Sequence, residues 1–246
     1  MLLEKKRILI TGAERGIGRV IALEAAREGA DVMGVGILMD SMEETARMVR
    51  ELGRNAYIAK MDISDYDEVS RVIPDLVEQA GGLDILVNCA GIFKEAPFLT
   101  MTPAQWRQTV AVDLDGIYNV THVAIPYIIE RRGNVVSIAS QDAFYGCPNY
   151  SHYAACKAAV VGLMRTLARE LGHTGVRFNS VAPGIIDTDM THERIERDLD
   201  SYLAKLPIGR VGRPEDIANA VVFVASDKAS NITGQVIHCN GGMYLG

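Results

Sequence analysis

Three side chains between Gly133 and Leu163 are spaced for acid–base chemistry. Ser140 is followed thirteen positions later by Tyr153, and Lys157 stands four positions after the tyrosine. In a helix, Tyr153 and Lys157 lie one turn apart on one face, with their side chains as neighbours. An ammonium beside a phenol favours the phenolate and lowers the tyrosine pKa from its reference of about 10. Such a phenol passes a proton to or from a hydroxyl or carbonyl oxygen. Ser140, at the end of the apolar run VVSIAS, supplies a second hydrogen bond to that oxygen. The pair alone carries little weight, since nine tyrosines and seven lysines in 246 residues give roughly 0.3 Tyr-x-x-x-Lys matches by chance. The rest of the chain must supply the context.

Alternating elements supply it. Apolar runs predict strands at 7–11, 31–35, 56–60, 83–88, 134–139, 176–181 and 235–239. Helical spacing marks 16–28, 41–52, 66–80, 150–172 and 214–226, with Pro74 expected to kink the third of these. The stretch 103–131 reads as mostly helical, interrupted near Gly116 and Pro126, and a long connection follows Pro183. The alternation predicts an α/β fold: a doubly wound, mainly parallel, seven-stranded sheet with helices on both faces, Rossmann-like. At 246 residues, 48% apolar and 23% charged, the chain reads as one domain, 1–246.

A net charge of −6 with scattered basic residues argues against a nucleic-acid partner. No apolar run approaches the roughly eighteen residues of a membrane span, and the start MLLEKKRILITG reads as a lead into a strand rather than a signal peptide. Cys89, Cys147, Cys156 and Cys239 lack Cys-x-x-Cys and zinc spacing, which suits reduced thiols of a cytoplasmic protein. The five histidines form no His-x-x-x-His cluster, and no metal site is expected.

Gly12, Gly16 and Gly18 fall between the first strand and the first helix. Glycines permit close backbone approach, and a helix N-terminus directs amides and a positive dipole end at a pyrophosphate, so dinucleotide binding is expected. With this loop, Asn88-Cys89-Ala90-Gly91, Ser140, Tyr153-x-x-x-Lys157 and Pro183-Gly184 in order, the chain resembles the short-chain dehydrogenases/reductases over essentially its whole length. Within them it looks most like the 3-oxoacyl-acyl-carrier-protein reductases.

The resemblance implies roles residue by residue. Gly12, Arg15, Gly16, Ile17 and Gly18 surround the adenosine ribose and pyrophosphate, and Asp62 and Ile63 border the adenine. Asn88, Ala90 and Gly91 line the middle of the cofactor, while Pro183, Ile186 and Thr188 hold the nicotinamide end. Tyr153 is the general acid/base, Lys157 its electrostatic partner and a ribose ligand, and Ser140 the donor to the substrate oxygen. A homotetramer is expected from the resemblance, with the C-terminal strand and helices 103–131 and 150–172 as contact surfaces.

Two positions depart from the family pattern. Cys89 replaces an asparagine, with little effect expected. Asp113 stands where the family has a catalytic asparagine whose backbone carbonyl holds a water of the proton relay. The carbonyl survives, but the acid must find donors or stay protonated if buried.

The expected activity is reversible hydride transfer between a nicotinamide cofactor and a ketone/alcohol pair. A 3-oxoacyl thioester leads as substrate. A sugar or polyol is the alternative, with Gln141 and Asp142 able to bond extra hydroxyls. The rival of another class is a dinucleotide-binding sensor that has lost catalysis, which only Asp113 favours. Gly36 stands where an NAD-preferring relative carries an acid, and Arg15 where NADP-users often have a base, so NADP is favoured and NAD stays open. Ile37, Leu38 and Met39 offer no further phosphate ligands. An acyl carrier protein is a candidate partner: Arg131 and Arg132 match half of the expected basic patch, whereas Gly172-His173-Thr174-Gly175 lacks the arginine of the other half.

Overall fold

The computed structural model describes residues 1–246. In chain order the first half comprises β1 (Arg7–Thr11), α1 (Gly16–Arg27), β2 (Asp31–Gly36), α2 (Met39–Glu51), β3 (Ala56–Lys60), α3 (Tyr66–Ala80) and β4 (Ile85–Asn88). The second half comprises α4 (Pro103–Val110), α5 (Gly116–Arg131), β5 (Asn134–Ile138), α6 (Asp142–Tyr145), α7 (Ser151–Leu171), β6 (Arg177–Pro183), α8 (His192–Leu203), α9 (Pro214–Ala225) and β7 (Val236–Cys239). The strands form one sheet of seven in the order β3-β2-β1-β4-β5-β6-β7. Every pairing is parallel.

A parallel sheet is covered on both faces, so its inner strands are apolar throughout rather than alternating. Side chains nevertheless alternate in direction. Ile8 and Ile10 of β1 join the core under α1 and α9, whereas Leu9 joins the core of the opposite face with Phe178, Ile73 and Ile128. The order of strand addition reverses at β1: β2 and β3 lie to one side of it, and β4 pairs with its other side through Ile8 and Ile85. That reversal opens a crevice at the carboxyl ends of the strands, where ligands of open α/β sheets bind.

Local chemistry sets the ends of the flanking helices. Asp65 caps α3 by accepting from the N–H groups of Asp67 and Glu68, and Gly81 closes it in the left-handed region at φ 75°. Thr102 and Gln105 form a reciprocal capping box on α4.

Three local expectations need correction. α5 runs through Pro126 without interruption, and α3 spans Tyr66–Ala80 as expected with Pro74 inside it. The irregularity before Gly116 is a π-helical turn, Ala111–Asp115, that continues the helical path. The connection after Pro183 contains α8, whose Ile195 and Tyr202 pack with Leu206 in a small core of their own. A short helix, α6, follows Ser140.

Candidate active site

Ser140 lies just beyond the carboxyl end of β5, and α7 carries Tyr153 and Lys157 one turn apart. The Lys157 ammonium sits 5.4 Å from the Tyr153 ring centroid and donates to the Ile138 carbonyl at 3.3 Å. It also lies 3.2 Å from Asp113 Oδ1, with the two side chains 4% and 0% exposed. Asp113 reaches this position from the middle of the π-helical turn, and its Oδ2 accepts from the Ile92 N–H at 3.0 Å. A Cβ at Gly91 would fall 2.6 Å from Asp113 Oδ1, so only glycine admits the carboxylate here. The side chain of Asp113, and not only its backbone carbonyl, therefore belongs to the site.

This charge alters the expected tuning of the phenol. Burial pushes Tyr153 up to about 12; Lys157 pulls it down, and Asp113 pushes it further up. The expected downward shift is thus reversed, and the phenol holds its proton at neutral pH. Burial also works against the Lys157 ammonium, but Asp113 and Tyr153 outweigh it and hold Lys157 above its ordinary value.

Ser140 Oγ accepts from the Asp142 N–H at 3.1 Å, which orients the hydroxyl beside Tyr153. Gln141 is buried, with its amide nitrogen 2.8 Å from the Met243 sulfur. Asp142 is half-buried, and burial raises its carboxyl to about 6 despite Arg194 nearby. Phe93 stacks on Tyr150 at 4.0 Å and meets the Tyr153 ring edge-on at 4.8 Å. Arg194 of α8 lies over Tyr150 and Phe93, at 4.9 and 5.4 Å from the ring centroids. The sequence reading missed Phe93 and Arg194. Phe93 stands two residues after the Asn-x-Ala-Gly motif, whereas nothing in the sequence ties Arg194 to it.

A continuous cleft of about 470 Å³ runs from Tyr153 and Lys157 to Ile37 and Leu38 beyond β2. Its floor is the glycine loop. A Cβ on Gly18 would fall 2.1 Å from the Gly12 carbonyl oxygen, and one on Gly12, itself at φ 71°, 2.9 Å from Ala90 Cα. Thr11 Oγ1 accepts from the N–H groups of Cys89 and Ala90, both at 3.0 Å, and locks the β4 loop against the glycine loop. The first turn of α1 has no side-chain cap and no acid, so its amides face the cleft unanswered. Arg15, Gly16, Ile17, Gly91 and Thr188 line the same space, as do Asp62 and Ile63 at its far side. Asp62 Oδ1 accepts from Ser64.

Other expected cofactor residues support the wall from behind. Asn88 donates to Thr121 and Ser137 at 3.0 and 3.1 Å. The Pro183 carbonyl accepts from the Gln141 N–H, and buried Ile186 bridges to Gly212. Glu14, in the glycine loop, was not singled out in the sequence. It also lines the cleft, and its Oε2 is buried without a donor. The signal was an acid between Gly12 and Gly16. A glycine cradle, open helix amides and an unmatched buried acceptor suit a dinucleotide, with its pyrophosphate over α1 and its reactive end toward Tyr153.

Comparisons with known proteins agree with this geometry. A family profile described as "Enoyl-(Acyl carrier protein) reductase" matches residues 12–244. The 3-oxoacyl-[acyl-carrier-protein] reductase FabG of Thermotoga maritima is 38% identical over 246 residues, covering 100% of both chains. Its counterpart from Staphylococcus aureus is 39% identical over 242 residues, 98% of each chain. Among solved structures, a glucose/ribitol dehydrogenase of the short-chain type from Brucella melitensis superposes with a TM-score of 0.94 at 34% identity, covering 100% of this chain and 99% of that one. The chain belongs to the short-chain dehydrogenase/reductase family of oxidoreductases.

Proposed function

We propose that the protein interconverts a ketone and a secondary alcohol, with a 3-oxoacyl thioester as the leading substrate. The observation that carries this reading is the placing of Tyr153 and Lys157 at one end of the dinucleotide cleft, with the Ser140 hydroxyl hydrogen-bonded to the phenol. A bound nicotinamide would supply or accept the hydride. The protein's part is proton and charge management. Ser140 and Tyr153 hold the substrate oxygen, and the protonated phenol delivers its proton as charge builds there. Lys157 favours the phenolate that remains, while Asp113 limits that help by answering the ammonium.

The names of the FabG relatives support the thioester. So does the aromatic wall of Phe93 and Tyr150 beside the phenol. The polyol reading relied on Gln141 and Asp142; the Gln141 amide nitrogen is turned to Met243, which leaves that reading the Gln141 amide oxygen and the Asp142 carboxyl. Dependence on an acyl carrier should be weak. Arg131 donates to the Gly81 carbonyl, and both Arg131 and Arg132 precede the start of β5. The reacting groups lie past its other end, roughly 20 Å away at about 3.3 Å per strand residue.

A homotetramer is part of the same proposal. Trp106 and Tyr118 stand half-exposed on α4 and α5, and β7 forms an edge of the sheet. No helix is long and apolar enough to cross a membrane, and the four free cysteines suit a cytoplasmic location. The test is a turnover screen with NADH and NADPH against a 3-oxoacyl thioester, simple ketones and several polyols. Turnover of the thioester or a ketone is the expected result. Activity on polyols alone would favour the sugar reading, and binding of a dinucleotide with no turnover would favour a sensor.

A further inference from the structure

Dinucleotide-binding sheets hold the adenosine ribose with a carboxylate near the end of the second strand. Gly36 occupies that place in this chain. The space over Gly36 is nevertheless filled by a carboxylate. A Cβ built there would fall 2.0 Å from Glu14 Oε2 and 2.5 Å from its carboxyl carbon. The glycine loop, rather than the strand, brings the acid to this position, and the missing side chain at residue 36 makes room for it.

Glu14 is only 7% exposed. Its Oε1 accepts one long hydrogen bond, 3.3 Å, from the Ile37 N–H, and its Oε2 is buried without a donor. A buried carboxylate with an unmatched oxygen is unfavourable unless a donor completes it. No nearby cation does so. Arg19 donates to the backbone carbonyl of Glu14 and to Ser41 and pairs with Glu44 at 2.8 Å, so its guanidinium is committed elsewhere. Arg15 lines the same cleft but is exposed. Beyond Glu14 the cleft meets the apolar side chains of Ile37 and Leu38, which provide nothing to hold a phosphate.

We propose that Glu14 selects the cofactor: its carboxylate accepts from the 2′-hydroxyl of an adenosine ribose and repels a 2′-phosphate, so the protein prefers NAD(H) to NADP(H). The proposal rests on the dinucleotide reading of the cleft and reverses the preference that Gly36 and Arg15 suggest in the sequence. A buried acid acts at short range in a medium that screens poorly, whereas an exposed arginine is screened by water and salt. The buried charge therefore decides.

The experiment is equilibrium titration of the cofactor-free protein with NADH and with NADPH, followed by reduced-nicotinamide fluorescence, with thermal unfolding as a check on folding. Wild type should bind NADH at least about tenfold more tightly. Glu14→Gln keeps the shape, removes the charge and should bring the two affinities within about threefold. Glu14→Ser should favour NADPH, since Arg15 is then unopposed. Glu14→Ser/Gly36→Asp moves the acid onto the strand and should restore the preference for NADH. Equal or tighter binding of NADPH by wild type, or an unchanged ratio in Glu14→Gln, overturns the proposal while leaving the dinucleotide reading intact. Failure to bind either cofactor overturns both. Should the variants not fold, competition on wild type by AMP against adenosine 2′,5′-bisphosphate decides, and preference for the bisphosphate sinks the idea.

Discussion

Two buried carboxylates stand at opposite ends of one cleft, and the protein answers only one of them. Asp113 has an ammonium 3.2 Å away and a backbone N–H on its other oxygen. Glu14 has one long hydrogen bond and an oxygen with no donor. The answered acid serves the protein itself: it sets the charge felt by Lys157 and, through it, by Tyr153. The unanswered acid faces outward in function, because its remaining valence is open to a ligand. Burial alone therefore does not tell a structural carboxylate from a binding one. The presence or absence of a countercharge beside it does.

The largest test of the answered end is Tyr153→Phe, which should cut kcat/KM by about 10²–10⁴ with cofactor affinity changed only a few fold. Retention of a tenth of the wild-type rate would remove the tyrosine from the acid role. Lys157→Ala should come next, because it strands a buried charge. Denaturant unfolding should show a loss of about 3–5 kcal/mol. Adding Asp113→Asn should recover most of the stability and none of the rate. A single variant as stable as wild type would mean that the pair is not ionised.

At the unanswered end, Gly36→Ala removes no polar group, yet its Cβ has no room beside Glu14. NADH affinity should fall about tenfold, close to the loss of one charge-assisted hydrogen bond. An unchanged affinity would show that Glu14 can leave without consequence.

Asp113→Asn should have a smaller effect on rate. It removes a charge that holds the phenol up, so the basic limb of the pH–rate profile moves to lower pH. Stability should drop by about 1–3 kcal/mol, since an amide cannot accept from both Lys157 and the Ile92 N–H in the same way. A large rate loss with the limb unmoved would instead make the carboxylate a proton carrier.

The smallest effect belongs to Asp142, which is half-buried. Burial raises its carboxyl to about 6 from an ordinary value of 3.8. The folded state then binds more protons than the unfolded state between these values, so this contribution to stability is lost as pH rises through about 6. Thermal unfolding of Asp142→Asn should show a flatter dependence over that window. A curve parallel to wild type would mean that Asp142 titrates normally.

What was legible in the sequence followed from local spacing. Tyr153 and Lys157 meet because a helix places i and i+4 together, and the glycine loop declares itself between a strand and a helix. All seven strands were likewise visible as apolar runs. What was not legible depended on packing between distant segments. Asp113 is recognisable as an unusual acid, but its partner lies on α7, and only the π-helical turn aims the carboxylate there. Glu14 escaped because the acid was sought along β2, and nothing in loop spacing tells where a loop side chain points. Pro74 was read as a kink and Pro126 as an interruption, yet both helices continue past these residues beside buried Ile73 and Ile128. α8 was passed over because half of its residues are charged, which leaves few apolar positions to mark a period.

The pairing of β1 with β4 has a consequence for the order of assembly. Ile8 pairs with Ile85, the widest separation along the chain of any neighbouring strands in the sheet. Closing so long a loop costs more entropy than the crossovers within either half, so β3-β2-β1 and β4-β5-β6 can form locally before they dock. The glycine loop belongs to the first unit and Tyr153, Lys157 and Asp113 to the second. The cleft is therefore a product of docking, and hydrogen exchange in the Thr11, Cys89 and Ala90 amides should report the last step of folding and the first of unfolding.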